Sequence, residues 1–393
     1  MDPITNPYTP GAGTPPPELA GRDQLREQVR IAVARIRLGY SAKSVILVGL
    51  RGVGKTVLLR KMQQDAADSG LRTIQIEVPE DRSLPALLAP KLRQVLLQLN
   101  KIDKAKDAAQ RALRAVTGFA KGLKVKYGDI EVGFDLEPEP GLADNGDLEG
   151  DLATLLEQVG SAAQSAETAV VLFVDELQYL KEDQFAALIS ALHRCAQSSL
   201  PVAMVGAGLP QLPGRAGNAK SYSERLFDFP IVGALNREEA KKAIVKPAES
   251  KGVRFTDESI EKIFSKTKGY PYFLQEWAKH SWDVARQSPI TLADVEEATD
   301  LVICALDENF FRVRLDRLTP KEKEYLRAMA ELGPGRHRSG EIAEILGKTV
   351  NSFGILRSKL IAKGMIWSPN HGDNEFTVPL FDEFMKRAMP KIN

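Results

Sequence analysis

The stretch Gly49-Leu50-Arg51-Gly52-Val53-Gly54-Lys55-Thr56 decides the fold. It fits G-x-x-x-x-G-K-[ST], the pattern of a phosphate-binding loop. The apolar run Val45-Ile46-Leu47-Val48 leads in, and Val57-Leu58-Leu59-Arg60-Lys61-Met62 leads out with helical spacing. That order is what the chemistry needs. Glycines let the backbone turn tightly and aim N–H groups at phosphate oxygens. The helix that follows adds the positive end of its dipole. The phosphate-binding set is therefore Gly49, Gly52, Val53, Gly54, Lys55, Thr56 and Val57. Lys55 is expected to reach the β- and γ-phosphates, and Thr56 to hold Mg²⁺ through its hydroxyl.

Downstream, Val170-Val171-Leu172-Phe173-Val174 reads as a buried strand that delivers Asp175 and Glu176 at its C-terminal end. Ligands of open α/β sheets sit at that end. Asp175 is the second expected Mg²⁺ residue, and Glu176 is placed to activate the attacking water.

Around these motifs, apolar runs of strand length alternate with helical patterns: 44–48, 73–78, 170–174, 202–206 and 227–232. This alternation predicts a parallel sheet covered on both faces. Residues 101–122 are basic and alanine-rich and read as an exposed helix. Val125 and Tyr127, then Ile130, Val132, Phe134 and Leu136, alternate about Gly128-Asp129 as a hairpin. From about 236 to 313 the pattern is wholly helical. The predicted organisation is an N-terminal arm over 1–18, an ATPase core over 19–233 with an insert at 101–150, a helical lid over 234–314, and a last unit over 315–393.

Composition narrows the classes. Of 393 residues, 43% are hydrophobic and 27% charged, and the net charge is +1. Ordinary globular protein looks like this, and a broadly basic nucleic-acid coat does not. Any DNA contact must come from a local patch. Cys195 and Cys304, the two cysteines, form neither a disulfide framework nor a zinc site and fit a reducing cytoplasm. The four histidines are scattered, without metal-ligand spacing. Met1-Asp2-Pro3 opens no basic, then apolar, leader. The longest central apolar run, Ala169 to Val174, is a strand's length, so no membrane is expected.

The two nucleotide motifs, with Val205-Gly206-Ala207-Gly208-Leu209-Pro210 and Ser221-Tyr222-Ser223-Glu224-Arg225-Leu226-Phe227, resemble AAA+-type ATPases. The nearer resemblance is to bacterial and archaeal members close to the Orc1/Cdc6-like and STAND groups. Gly21-Arg22-Asp23 matches the opening of that module, and Gly269-Tyr270-Pro271 matches the Gly-x-Pro that opens its lid helix. The resemblance covers about residues 19–310. It implies Arg22 near the adenine and Pro271 against the base or ribose. It implies Arg225 as an arginine finger reaching a neighbour's γ-phosphate in a homo-oligomer, with Arg215 a weaker candidate. Two departures stand out. The strand 202–206 offers no polar sensor, for which Gln211 is the substitute, and the helix after Pro271 begins Tyr272-Phe273-Leu274-Gln275 without a sensor arginine. Fewer groups on the transition-state charge mean slow hydrolysis.

At the C-terminus, Thr319-Pro320-Lys321-Glu322 is a helix start: Thr319 caps, Pro320 takes the first helical position and Glu322 closes a capping box. Ser339 is expected to cap a second helix. A third, at about 349–363, is expected to bury Val350, Phe353, Leu356 and Leu360. A strand–turn–strand follows around Asn370–Asn374. Three helices and a hairpin resemble a winged helix-turn-helix. Residues 315–393 carry 13 Lys and Arg against 10 Asp and Glu. If the third helix enters a major groove, its contacts are Asn351, Arg357, Lys359 and Lys363.

The fold class is thus α/β: a P-loop NTPase parallel sheet with a helical lid, then a winged helix-turn-helix. The function read from it is an ATP-binding, slowly hydrolysing ATPase whose nucleotide state gates DNA or partner binding. The alternative is a non-catalytic nucleotide-dependent switch or scaffold, with the winged helix as a protein-interaction module.

Overall fold

The computed structural model describes residues 1–11, 13–124, 126–128, 130, 136–370 and 372–391. The expected hairpin at 125–136 falls largely outside the described residues, as does His371. Two compact units account for the chain. One comprises Arg22–Gly49 and Lys55–Ile231; the other comprises Met1–Gly21, Leu50–Gly54 and Val232–Asn393.

The first unit is the α/β layer. In chain order it holds α1 (Asp23–Arg37), β1 (Ser44–Val48), α2 (Lys55–Asp68), β2 (Arg72–Glu77), α3 (Leu84–Leu99), α4 (Lys106–Leu123), α5 (Leu148–Ser165), β3 (Val170–Asp175), α6 (Glu182–Gln197), β4 (Val202–Gly208), α7 (Leu212–Ala219), α8 (Ser223–Leu226) and β5 (Phe227–Asp228). The strands pair in the order β2-β3-β4-β1-β5, every pair parallel. Every residue of β1, β3 and β4 is buried. Such strands read as unbroken apolar runs because helices cover both faces. β4 lies between the loop-bearing strand and the acid-bearing strand. Val48 pairs with Gly208, and Val174 with Gly206. The last strand is shorter than expected, its register resumed only by a bridge between Val48 and Ile231.

The insert corrects the sequence reading. α4 is no exposed helix: Ala109, Ala112, Leu113, Ala115, Val116, Phe119, Ala120 and Leu123 all join the core. Alanine density made it look like a solvated face, yet it is what lets α4 pack closely against α3 and α5. A Cβ at Gly118 would lie 2.7 Å from the Leu142 carbonyl oxygen, so the loop before α5 rests directly on α4. Fully buried Asp151 fastens that loop, accepting from the backbone of Gly146 at 2.8 Å and of Asn145 at 3.1 Å. A buried carboxylate survives there because backbone donors replace water.

The second unit is helical, then winged. Its elements are α9 (Arg237–Glu249), α10 (Asp257–Thr267), α11 (Pro271–Val284), α12 (Leu292–Leu306), α13 (Arg312–Asp316), α14 (Pro320–Glu331), β6 (His337–Arg338), α15 (Ser339–Ile345), α16 (Gly354–Ala362), β7 (Ile366–Trp367), β8 (Asp373–Phe376) and α17 (Phe381–Ala388). The extended N-terminal segment packs on it. Tyr8 is buried, its hydroxyl donating to the Ile244 carbonyl and its ring edge-on to Phe255 and Trp282. Asn6 donates to Lys279 O at 3.0 Å.

The winged element forms as read. Thr319 and Glu322 make the capping box ahead of α14, with Pro320 at the first helical position. β6, β8 and β7 pair antiparallel in that order. The third helix differs in detail. A 3₁₀ turn over Val350–Phe353 precedes α16, so Val350 turns outward at 48% exposure while Phe353 and Leu360 are buried. Ser339 begins α15 and donates to Gly372 O at 2.9 Å instead of capping.

Candidate nucleotide site

β1 carries the chain to Val48, and the loop turns at once. The Gly49 N–H donates to Gly208 O at 3.1 Å, tying the loop's first residue to the end of β4. Gly52 and Gly54 have φ of 81° and 90°, left-handed values that side chains disfavour. α2 begins at Lys55, which is only 8% exposed and donates its Nζ to Gly49 O at 2.9 Å. The ammonium is thus folded over the loop, against a carbonyl that a phosphate oxygen can replace.

Asp175 ends β3 and is 4% exposed. It accepts from the Thr56 hydroxyl and from the Glu176 N–H, the latter at 2.8 Å. Burial raises its pKa, and the Glu176 charge adds to that. The Thr56 and Glu176 donors and the Lys55 charge oppose it. A buried carboxylate bonded to a hydroxyl beside the loop has the hard oxygen chemistry that Mg²⁺ prefers, so these residues fit that ion. Glu176 follows with φ 55° and ψ 39°, left-handed backbone in a non-glycine residue. Its half-buried side chain accepts from Gln178 Nε2 through Oε2. Among the described residues, Thr56, Asp175, Glu176 and Lys55 therefore converge on one end of the sheet, as the spacing predicted.

Other expected residues are placed as follows. Arg22 is buried at the head of α1, which Arg26 holds to α2 by pairing with Asp65 at 2.8 Å. Arg225 is exposed on α8. Arg215 is an internal clamp, so its weaker candidacy as a finger falls. Its Nη1 donates to Gln178 O at 2.6 Å and its Nη2 to Leu180 O at 2.7 Å. Gln211 leaves its Oε1 buried with no hydrogen-bond partner among the described residues.

In the second unit, Pro271 opens α11. Tyr270, buried just before it, approaches Gly52 so closely that a Cβ there would lie 2.9 Å from its Cε1. The Tyr272 N–H donates to Gly52 O at 3.3 Å. Arg51 packs flat on Gly364, past the end of α16: a Cβ there would lie 2.8 Å from Arg51 Nη2. Sequence reasoning missed Arg314. Burial and then the Arg51 charge lower its pKa to about 10. Its guanidinium lies 3.8 Å from the Phe310 ring centroid. No local motif marks it, because its environment is assembled from residues far apart in sequence.

Two members of the expected DNA face already have partners in the chain, half-buried Arg357 and exposed Lys363. Arg357 donates to Asn374 Oδ1 at 2.7 Å, Ser368 Oγ at 2.6 Å and Asp373 O at 2.8 Å. Lys363 pairs with Glu322 at 2.7 Å. Asn351 and Lys359 remain exposed, with Ile355 at 78% exposure between them.

Comparison with known proteins places this geometry. Residues 18–205 match the AAA ATPase domain family. This region is an AAA ATPase domain. Such a domain implies nucleotide binding. Residues 308–385 match a domain of unknown function (DUF8462). Over 350 residues the chain is 22% identical to an uncharacterized HTH-type transcriptional regulator of Methanocaldococcus jannaschii, covering 86% of this chain and 80% of that one. The Walker-type ATPase Paby2304 of Pyrococcus abyssi superposes with a TM-score of 0.58 at 16% identity, over 95% of this chain and 97% of that one. The Aeropyrum pernix Orc1 protein in complex with DNA gives a TM-score of 0.48 at 15% identity, over 95% and 94%. At such identities the Pyrococcus likeness is one of fold. No helix among the described residues is long and apolar enough to cross a membrane.

Proposed function

We propose that the chain binds ATP with Mg²⁺, hydrolyses it slowly to ADP and phosphate, and uses the nucleotide state to gate binding by its winged helix. The proposed organisation is an ATPase core over 19–233, a lid over 234–314 and a winged helix over 315–393, behind the arm over 1–18. One observation carries the reading: Asp175 accepts from Thr56 while Glu176, next in the chain, presents a second carboxylate at the same sheet end.

Backbone N–H groups of the loop and Lys55 Nζ bind the phosphates. Thr56 and Asp175 hold Mg²⁺, which supplies charge neutralisation on the phosphate oxygens. Glu176 takes a proton from the attacking water as the water oxygen bonds to the γ-phosphorus and the bridging bond to the β-phosphate breaks, releasing ADP and phosphate. Arg22 and Pro271 contact the base and ribose. Slow turnover is supported by Gly206-Ala207-Gly208, which offers no hydroxyl or amide at the end of β4, and by the missing arginine after Pro271. Arg225, exposed on α8, is available to complete a neighbour's site in a homo-oligomer. Arg225→Ala is expected to lower turnover while keeping ATP binding. Mixing it with Glu176→Gln is expected to restore part of the activity, and no rescue at any ratio would leave Arg225 a surface residue.

Gating is supported by the contacts of Leu50–Gly54: Gly52 with Tyr270 and Tyr272, and Arg51 with Gly364. A phosphate entering the loop competes with these neighbours. The partner of the winged helix is duplex DNA, met by Asn351 and Lys359. A second reading, a protein partner, is favoured by exposed Ile355 and Val350 and by the engagement of Arg357 with the wing and of Lys363 with Glu322. The test is ATP turnover measured against protein concentration, with and without duplex DNA. Turnover rising with both supports the first reading. Turnover indifferent to DNA, with no duplex binding at low salt in any nucleotide state, supports the second.

A further inference from the structure

We propose that Gln178 is the positioning residue for the Glu176 carboxylate, seated in the space that the glycines ending β4 leave open. The inference rests on the reading of Glu176 as the group that activates water. Gln178 sits in a 3₁₀ turn, Leu177–Tyr179, directly after the acidic pair. Both ends of its amide are engaged. Nε2 donates to Glu176 Oε2, and Oε1 accepts from the Leu209 N–H at 3.2 Å. That pairing fixes the orientation chemically, because the flipped amide would set oxygen against carboxylate and NH₂ against N–H.

The end of β4 is shaped for this turn. A Cβ at Gly208 would lie 2.6 Å from Gln178 Oε1 and 2.4 Å from Leu212 Cδ1. At Gly206 it would lie 2.4 Å from Leu177 Cδ1. The bare strand end is therefore the space into which Leu177 and Gln178 fit. Arg215 fixes the turn from α7 through the carbonyls of Gln178 and Leu180. The turn closes on itself through Tyr179 N to Glu176 O at 3.0 Å.

Glu176 is held in left-handed backbone, a conformation that persists where the surroundings over-determine it. Gln178 takes one carboxylate oxygen and leaves Oε1 to meet a water. The same amide reads the end of β4, and Gly208 O in turn holds the Gly49 N–H. A movement of the loop's first residue thus has a path of hydrogen bonds to the Glu176 carboxylate: Gly49, Gly208-Leu209, Gln178, Glu176. The path lies wholly within one unit.

Two substitutions separate the roles. Gln178→Leu keeps the bulk and removes both hydrogen bonds. Gln178→Glu keeps an acceptor for Leu209 and removes the donor to Glu176. Each is expected to lower kcat by about tenfold or more, since a misplaced group costs up to about 10²-fold. ATP affinity, read by titration with a fluorescent nucleotide, should stay within about twofold of the parent. In the Glu176→Gln background, Gln178→Leu should lower the residual turnover no further, because the two residues act as one unit. Parental kcat in Gln178→Leu, or equal losses in kcat and affinity, overturns the proposal. So does a full additional loss in the double variant, which marks a structural role. If Gln178→Leu does not fold, Gln178→Glu alone carries the same comparison. Should Glu176→Gln leave parental turnover intact, the reading of Glu176 falls and this one with it. Turnover lost in Glu176→Gln but kept in both Gln178 variants removes this proposal alone.

Discussion

The nucleotide end of the sheet and the exposed face of the winged helix differ in what holds their side chains. At the sheet end, Lys55, Thr56, Asp175 and Glu176 converge where spacing placed them. On the winged helix, two of three expected cations already have partners in the chain, half-buried Arg357 on the wing and exposed Lys363 on Glu322. The difference lies in what fixes each side chain. A phosphate loop is a local geometry: two glycines at positive φ and a helix start dictate where the lysine goes. A surface cation has no such constraint, and long flexible side chains take whichever carboxylate or carbonyl the tertiary fold offers.

Four substitutions break or sharpen this contrast. Lys55→Ala should have the largest effect, lowering ATP affinity on the order of 10²-fold, since a phosphate charge loses its fixed cation. Calorimetric titration of ATP checks it, and unchanged affinity removes the site assignment. Arg357→Ala should come next. It removes three hydrogen bonds and leaves the Asn374 and Asp373 oxygens short of a donor, costing about 1–3 kcal/mol of winged-helix stability. Thermal unfolding of the full chain measures it, and an unchanged transition would return Arg357 to the surface face.

Lys363→Ala should be milder and depend on pH. Burial alone would raise the Glu322 pKa; the Lys363 ammonium and the Thr319 N–H and hydroxyl outweigh it and hold the carboxyl below its ordinary 4.5. This contribution is complete above the unfolded pKa and is lost as pH falls through the depressed folded value. The variant should therefore lose stability near neutrality and converge on the parent in acid below about pH 4. Parallel stability curves down to that pH would contradict the pairing. The smallest effect is expected for Lys359→Ala on duplex binding. One lost phosphate contact lowers the slope of log affinity against log salt by about 0.9. An unchanged slope would favour a protein partner.

Legibility followed the same division. Strand runs such as Val170–Val174, the Thr319–Glu322 box and the Gly52–Gly54 turn of the loop are encoded within a few residues, and each forms in the structure. α4 was misjudged because alanine is silent about burial: it fits a solvated helix and a tight helix–helix contact equally. Val350 was misplaced because a 3₁₀ turn, not an α-helical one, precedes α16 and shifts the face by part of a turn. Gly206 and Gly208 looked like a missing sensor. They make room for Leu177 and Gln178, a relation between two strand ends that neither segment shows alone. Arg314 and Gln178 share that property, since their surroundings exist only after folding.

The most direct test of the central claim compares the parent with Glu176→Gln in two assays, ATP binding and multiple-turnover hydrolysis. The substitution keeps size and hydrogen bonding and removes the proton acceptor. Binding within about twofold and hydrolysis slower by roughly 10²-fold are predicted. Equal turnover in the two proteins would contradict the assignment of Glu176 as the carboxylate that activates water.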